Sequence, residues 1–258
     1  MNRLFSDKTV LITGASSGFG AETARLFAKE GARLILIARR KDKLIKLATE
    51  LSELYDTQSL PISLDISNYE LVTQSLSDLQ APFAVPDILI NNAGVVKGLE
   101  KSWEVTPEEW NEMIDVNIKG VLNTLKVFVK KMIEANRGHI INVGSTSGHG
   151  TYQGGGVYCA TKYALRALTD TLRMELIATP IRVSLISPGM AKTEFSLVRF
   201  SGNEEKAESV YEGIEPLKAI DIAEAITFIA SRPAHVNIAD LILYPKQQAS
   251  PTMIHRKN

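Results

Sequence analysis

The chain is short of the residues that build several classes of protein. Its 258 residues include one cysteine, Cys159, which excludes an internal disulfide and offers no pair of thiolates to a metal. The four histidines, His139, His149, His235 and His255, fall at no ligand spacing, so no metal is expected. Lys plus Arg and Asp plus Glu number 29 each, and a balanced chain projects no global field to gather nucleic acid or anionic lipid. No apolar run approaches the ~20 residues that a membrane span requires. The opening MNRLFSDKTVLITGASSG reaches glycine and polar residues before a signal-peptide core could form, and the closing ASPTMIHRKN matches no common retention, peroxisomal or prenylation ending. The expectation is a cytoplasmic protein with no membrane and no nucleic-acid partner.

What is present is a globular composition, 45% apolar and 22% charged, enough to fill a sizeable core. Short apolar runs recur at Val10–Ile12, Leu34–Ile37, Ile88–Ile90, Ile140–Val143 and Val183–Ile186. Each is too short for a helix and too apolar for a half-exposed strand, which suits a parallel strand covered on both faces. Between them, helical patterns predict helices near 18–30, 41–55, 68–80, 106–114, 117–135, 156–178 and 220–231. This alternation predicts an α/β, doubly wound, Rossmann-type sheet, mostly parallel, with helices on both faces. No low-complexity linker or solenoid repeat divides the chain, so residues 1–258 are expected to form one domain. The less regular stretch 190–213 lies between a strand and a helix, as an active-site lid does. The polar tail 245–258 is open to fraying or to docking on a neighbouring subunit.

Gly14-Ala15-Ser16-Ser17-Gly18-Phe19-Gly20 follows the first apolar run and opens a helix. Its glycines permit a tight turn and close backbone approach, and the helix N-terminus offers free N–H groups to a diphosphate. The spacing departs from the common dinucleotide fingerprint, so strand–turn–helix placement carries the reading. After the second run, where a cofactor with a free ribose would call for an acidic residue, stand Arg39 and Arg40, which suit the 2′-phosphate of NADP. The alternative is that they begin an exposed helix face. Ser16 and Ser17 are further donors to that phosphate or are turn residues, and Asp65 is an acceptor for an adenine amino group or a helix cap.

Tyr158 and Lys162 lie four apart, which puts both on one helix face. An ammonium within about 4–6 Å lowers a neighbouring acid's pKa by ~1–3, so this tyrosine could exchange a substrate proton near neutral pH. Cys159, about 100° round the helix, is a packing residue. Trp103 and Trp110 are expected to pack near the helix that follows Asn91-Asn92-Ala93-Gly94.

The pair has company in the glycine turn, in Asn91–Gly94, in Asn117, in Ser145 thirteen residues before the tyrosine, and in Pro188-Gly189. With these motifs in order, the chain resembles the short-chain dehydrogenase/reductase family over nearly its whole length. The resemblance implies that Ser145 binds the substrate oxygen and Tyr158 acts as acid and base. It implies that Lys162 binds the nicotinamide ribose and lowers the tyrosine pKa, while Asn117 holds a water in a proton relay. It further implies a cofactor site of Gly14, Ser16, Ser17, Gly18, Phe19, Gly20, Arg39, Arg40, Asp65, Asn91, Ala93, Gly94, Pro188, Gly189 and Thr193, besides Tyr158 and Lys162. Gly144 departs from the pattern, standing where many members carry another serine.

A narrower resemblance, carried by IINVGSTSG, GGGVYCATK, TEFSLVRFSG and PAHVNIADLILYP, is to the branch of NADP-dependent serine, L-allo-threonine and 3-hydroxy acid dehydrogenases. It implies a small 3-hydroxy acid as substrate, for whose carboxylate Arg199 is the first candidate and Lys192 the second; an exposed, structural Arg199 is as good a reading at this point. A carbonyl reductase of broader ketone specificity would use the same catalytic residues, and a non-catalytic NADP-binding regulator is a remoter reading. The family further implies a homotetramer, commonly built with the 117–135 and 156–178 helices. The first of these is apolar beyond one stripe, with Val121, Leu122, Leu125, Val127, Phe128, Val129, Met132 and Ile133.

Overall fold

A computed structural model describes residues 3–257. The five apolar runs are strands β1 (Thr9–Thr13), β2 (Arg33–Ala38), β4 (Ile88–Asn91), β5 (His139–Val143) and β6 (Arg182–Pro188). Two further strands, β3 (Ser59–Ser63) and β9 (Asp240–Leu243), lie at the two edges of a seven-stranded sheet ordered β3-β2-β1-β4-β5-β6-β9. Every pairing in that sheet is parallel.

The predicted helices form as α1 (Gly18–Lys29), α2 (Lys41–Tyr55), α3 (Tyr69–Leu76), α4 (Pro107–Ile114), α5 (Gly120–Glu134), α6 (Gly156–Glu175) and α9 (Ala219–Ala230). One face of the sheet is closed by α1, α2 and α9 through Phe27, Leu44, Leu47, Leu51, Ile222 and Ile226. The other is closed by α3, α5 and α6 through Val72, Leu76, Leu125, Phe128, Leu165 and Leu172. A sheet covered on both faces needs no polar alternation, which is why Val10, Leu11 and Ile12 are all buried.

Between α4 and α5 the backbone makes a π-helical turn, Asp115–Lys119, that carries Asn117 inward. Insertions of this kind recur at functional sites. The strand order reverses between β1 and β4, and in open α/β sheets ligands bind beyond the strand C-termini at such a point.

The 190–213 stretch is more regular than its sequence suggested. It holds β7 (Ala191–Lys192), α7 (Glu194–Arg199) and α8 (Glu204–Ser209), and β7 pairs with β8 (Leu217–Lys218) in a small second sheet. Thr193 caps α7 by accepting from the Phe195 N–H at 3.2 Å. The described part of the tail folds back on its own chain. Gln247 Nε2 donates to the Gly213 carbonyl at 3.0 Å, the Lys257 N–H donates to the same carbonyl at 2.8 Å, and Arg256 donates to the carbonyls of Val210 and Glu212. The expectation for the tryptophans is overturned: Trp103 is 78% exposed, with Lys101 over its ring, and Trp110 lies at the surface as well.

Candidate active site

A cleft of about 1150 Å³ opens at the C-terminal ends of the strands. It exceeds the ~300–1,000 Å³ common for small-ligand sites and has room for an elongated ligand. Gly14, Ser16, Ser17, Gly18 and Phe19 form one end, with Arg39, Arg40 and Asp65 beside them; Ala93, Gly94, Ser145, Tyr158, Lys162, Pro188, Gly189 and Thr193 continue along it.

The glycine turn is built by steric necessity. Gly14 has φ +67°, and a Cβ there would lie 2.9 Å from Ala93 Cα. Asn92 braces the turn, its Nδ2 donating to the carbonyl of Thr13 at 2.9 Å. Two expected cofactor residues stand elsewhere. A Cβ on Gly20 would come within 2.4 Å of the Gly14 carbonyl oxygen, so this residue lets α1 close on the turn and does not line the cleft. Asn91 is buried, donating to Asn142 Oδ1 at 2.9 Å and accepting from the Thr124 hydroxyl at 2.7 Å; successive strand residues face opposite ways, and Asn92 is the one on the wall.

The basic pair also divides. Arg40 donates from Nη2 to the Ser16 and Ser17 hydroxyls, and from Nη1 to Glu194 at 2.7 Å. Arg39 leans toward Glu112 of α4 at 3.7 Å and remains 63% exposed. Asp65 Oδ1 accepts from the Ser67 N–H and hydroxyl, while Asn68 caps α3; Asp65 therefore belongs to the turn before the helix as well as to the cleft.

Ser145 leaves β5 in extended conformation, and its Oγ accepts from the Ser147 N–H at 3.1 Å to start a 3₁₀ turn, Thr146–Gly148. The preceding Gly144 has a packing reason for being small, since a Cβ would lie 3.0 Å from Leu185 Cδ1 and 3.1 Å from Ser187 Oγ. Tyr158 packs with Val95, Val96 and Met113, and its ring lies 5.9 Å from that of Phe195 on α7. Lys162 is buried, 5.8 Å from the centre of the Tyr158 ring, and donates to the Val143 carbonyl at 2.9 Å. Burial pushes the Lys162 ammonium down to about 8.

Burial also raises the Tyr158 pKa above the usual tyrosine range, against the hydrogen bond from Ser145 and the positive charge of Arg199. The expected lowering by Lys162 does not prevail within the chain: desolvation outweighs the Ser145 hydrogen bond and the Arg199 charge, which are the groups that lower it. Asn117 is spent on structure: Nδ2 donates to the Val95 carbonyl at 2.9 Å and to Thr161 Oγ1 at 3.1 Å, and Oδ1 accepts from the Val95 N–H at 2.8 Å. It fixes the floor of the cleft beside Gly94, where a Cβ would meet both Asn117 and Lys162.

Arg199 enters the cleft from α7. Its Nη2 donates to the Tyr152 hydroxyl at 2.8 Å, its guanidinium carbon is 5.9 Å from the Tyr158 ring centre, and its buried Nε has no partner among the described residues. Among those residues it makes no ion pair. Lys192 is the opposite case, exposed outside the cleft and paired with Glu208 of α8, which removes it as a carboxylate ligand.

Sequence reasoning missed Tyr152, Lys43, Glu194, Gln248 and Arg256. Gln248 is buried against the cleft wall, where its Oε1 accepts from the Met190 N–H at 2.8 Å. No motif or periodicity marks these residues, because each reaches the site by a side-chain contact distant in sequence. Among the described residues no group of three His, Cys, Asp or Glu side chains could hold a metal, and no helix is long and apolar enough to cross a membrane.

Comparison with known proteins agrees with this geometry. The family model for short chain dehydrogenases matches residues 8–203. An NADP-dependent 3-hydroxy acid dehydrogenase of Schizosaccharomyces pombe is 42% identical over 258 residues, covering 100% of this chain and 99% of that one. A serine 3-dehydrogenase of Agrobacterium fabrum is 41% identical over 241 residues, or 93% of this chain and 95% of its own. A solved structure described as the closed form of serine dehydrogenase complexed with NADP+ superposes with a TM-score of 0.91 at 39% identity, covering 96% of this chain and 100% of that one.

Proposed function

The chain belongs to the short-chain dehydrogenase family, and we propose that it transfers a hydride between NADP and a small 3-hydroxy acid of the L-serine, L-allo-threonine, 3-hydroxypropionate or 3-hydroxyisobutyrate type. The residues present fit that cofactor. Gly14, Gly18 and the N-terminus of α1 make a cradle for a diphosphate, and Ser16, Ser17, Arg39 and Arg40 form a donor set for a phosphate monoester. Ala93, Gly94, Pro188, Gly189 and Thr193 line the rest of its path. Bound NADP would supply the nicotinamide that accepts or returns the hydride.

The remaining chemistry belongs to the chain. Ser145 donates to the substrate oxygen and holds it beside Tyr158. In reduction the protonated Tyr158 hydroxyl gives its proton to the carbonyl oxygen; in oxidation its phenolate takes the alcohol proton. Ser145 and Arg199 favour that phenolate against the cost of burial, with the Lys162 ammonium 5.8 Å from the ring centre. Lys162 would also hold the cofactor ribose, and Asn117 holds the floor against which Lys162 lies.

The single observation that carries the substrate reading is Arg199. A guanidinium in the cleft whose Nε has no partner, and which meets no carboxylate, among the described residues is set to receive one from the substrate through two parallel hydrogen bonds. The test is kcat/KM for NADP+-linked oxidation of L-serine and 3-hydroxypropionate against a neutral secondary alcohol. Arg199→Leu should lower the value for the acids by about 10–100-fold, the worth of charge-assisted bonds, and spare the neutral alcohol. Equal loss on both, or none on either, removes Arg199 from substrate binding.

The 190–213 stretch then acts as the lid over this site. The family reading also supplies the expectation of a homotetramer. It is supported by exposed Leu122 and Ile133 on α5 and by Tyr163 and Met174 on α6, apolar groups that a partner would cover. Light scattering at micromolar concentration tests it, and a monomeric mass would reject it.

A further inference from the structure

The arginine that α7 brings into the cleft lies over two tyrosine rings. The Arg199 guanidinium carbon is 6.0 Å from the centre of the Tyr152 ring and 5.9 Å from that of Tyr158, a separation at which a cation is attracted to an aromatic face. Its Nη2 donates to the Tyr152 hydroxyl at 2.8 Å. The backbone of the same residue is tied as well, since the Arg199 carbonyl accepts from the Gly98 N–H at 3.0 Å. Both ends of Arg199 are thus held while α7 is seated over the cleft.

Tyr152 is itself placed by the backbone around it. The Gly155 N–H donates to the Tyr152 carbonyl at 3.1 Å, closing a turn just before α6. A Cβ on Gly155 would lie 2.5 Å from the Tyr152 ring, so the ring packs directly on that glycine. Burial pushes the Tyr152 hydroxyl above the usual tyrosine range, against the positive charge of Arg199, and the group stays protonated and neutral at working pH. A neutral acceptor orients a guanidinium without cancelling its charge, which a carboxylate in the same place would do. The buried Arg199 Nε has no partner among the described residues.

We propose that Tyr152 is a positioning residue for substrate selection: it holds the Arg199 guanidinium in place before a substrate arrives, with Nε free to meet a carboxylate. This role rests on the hydroxy-acid reading above. A long side chain with several torsions loses rotamer freedom when a ligand fixes it, and that loss weakens binding. Here the loss is met on folding, by the Tyr152 hydroxyl and the two rings, and the carboxylate then finds its donors already oriented. Tyr152 acts on the reaction only through Arg199, so its effect is confined to substrates that carry the charge. It shows in KM more than in kcat, because the same contact is present before and during hydride transfer.

The experiment compares kcat and KM at saturating NADP+ for 3-hydroxypropionate and for its methyl ester, which keeps the alcohol and masks the charge. The chains are the parent, Tyr152→Phe, Arg199→Leu and the double variant. Tyr152→Phe should lower the acid-to-ester ratio of kcat/KM about 3–10-fold, through KM for the acid, the scale of one side chain left to be immobilised on binding. In the Arg199→Leu background the same change should leave the ratio within about 2-fold, since a group acting through Arg199 has nothing left to position. An equal loss on acid and ester would mean that the Tyr152 hydroxyl only supports the fold. A loss that persists in the double variant would mean that it contacts the substrate itself. Either result overturns the proposal, as does an unchanged ratio in Tyr152→Phe. If Arg199→Leu itself leaves the ratio unchanged, the carboxylate reading of Arg199 falls and takes the role of Tyr152 with it. A ratio that falls in Arg199→Leu and not in Tyr152→Phe refutes the positioning role alone.

Discussion

The two walls of the cleft are made in different ways. One wall comes from the ends of β1, β2, β4 and β5 and from α6, and its groups are held by parallel sheet hydrogen bonding and by buried packing. The other comes from the 190–213 stretch and the tail, and is held by side chains reaching partners distant in sequence: Gln248 to the Met190 N–H, Arg256 to the Val210 carbonyl, Glu194 to the Arg40 guanidinium. The first wall carries the proposed chemistry of proton transfer. The second carries Arg199, proposed to bear on what is bound, and Glu194, which ties α7 to Arg40 and Lys43. A rigid wall suits atoms that must keep hydrogen-bond distance, and an exchangeable wall suits choosing and releasing a ligand.

The largest effect that separates the walls is expected at Tyr158. Tyr158→Phe removes the hydroxyl and keeps the ring against Val95, Val96 and Met113. Turnover should fall by about 10²–10⁴-fold, the usual worth of general acid–base catalysis, with the melting temperature nearly unchanged. A purified variant with near-parental kcat would remove Tyr158 from the chemistry.

Lys162 gives the same wall a signature in pH. Its ammonium is buried and its pKa is pushed down to about 8, from 10.5 in the unfolded chain. Between those values the unfolded state binds more protons, so stability from this group rises with pH. The burial cost is fully present below about pH 8 and disappears toward about pH 10.5, a change on the order of 3 kcal/mol. Urea unfolding of the parent and of Lys162→Met at pH 7.5 and pH 9.5 checks this. The parent should gain stability relative to the variant at the higher pH, and a constant difference would mean that Lys162 is not desolvated.

These residues were also the legible part of the sequence, for a physical reason. Strands buried on both faces read as apolar runs, and glycines forced by close approach fall at fixed offsets from them. The two strands that no apolar run marks, β3 and β9, are the sheet edges. Asp240–Leu243 alternates exposed and half-buried residues, and Ser59–Ser63 is nowhere fully buried, so neither makes an apolar run. The misplacement of Asn91 was a matter of one residue in strand alternation. The motif makes Gly20 look like a cofactor ligand, whereas its role is to let α1 approach Gly14. The second wall was illegible because Tyr152, Glu194 and Gln248 act over 47, 154 and 58 residues of chain, and no local pattern encodes such contacts.

Matched glycines test the same contrast at smaller scale. At Gly20 an added Cβ meets the Gly14 carbonyl at 2.4 Å, backbone that cannot move without opening the turn. Gly20→Ala should therefore cost about 1–3 kcal/mol by overpacking and should abolish tight dinucleotide binding. At Gly202, between α7 and α8, nothing lies within 4 Å and only φ +90° resists a side chain. Gly202→Ala should cost about 1–2 kcal/mol of backbone strain and leave dinucleotide affinity intact. Thermal melts with and without NADP+ separate the two, and equal loss of the ligand-induced shift in both would erase the distinction between the walls.

The smallest effect is expected at Gln248, where the second wall touches the first. Its Oε1 accepts from the Met190 N–H at 2.8 Å, its Nε2 donates to the Ser250 carbonyl at 3.2 Å, and a Cβ on Gly189 would meet Oε1 at 2.5 Å. Gln248→Ala leaves one donor and one acceptor without partners, but both lie on segments that can reach water after a small local movement. The cost should thus fall at the low end of the ~1–3 kcal/mol for an unsatisfied group, or about 2–4 °C per kcal/mol in a chain of this size. Because Met190 follows the proposed nicotinamide contacts Pro188 and Gly189, KM for NADP+ should rise about 3–10-fold while kcat changes less. Gln248→Glu keeps the acceptor for Met190 and should recover most of the lost affinity. A kcat loss as deep as that of Tyr158→Phe would show that the tail holds the reacting groups themselves, and the division between a catalytic wall and a selecting wall would fail.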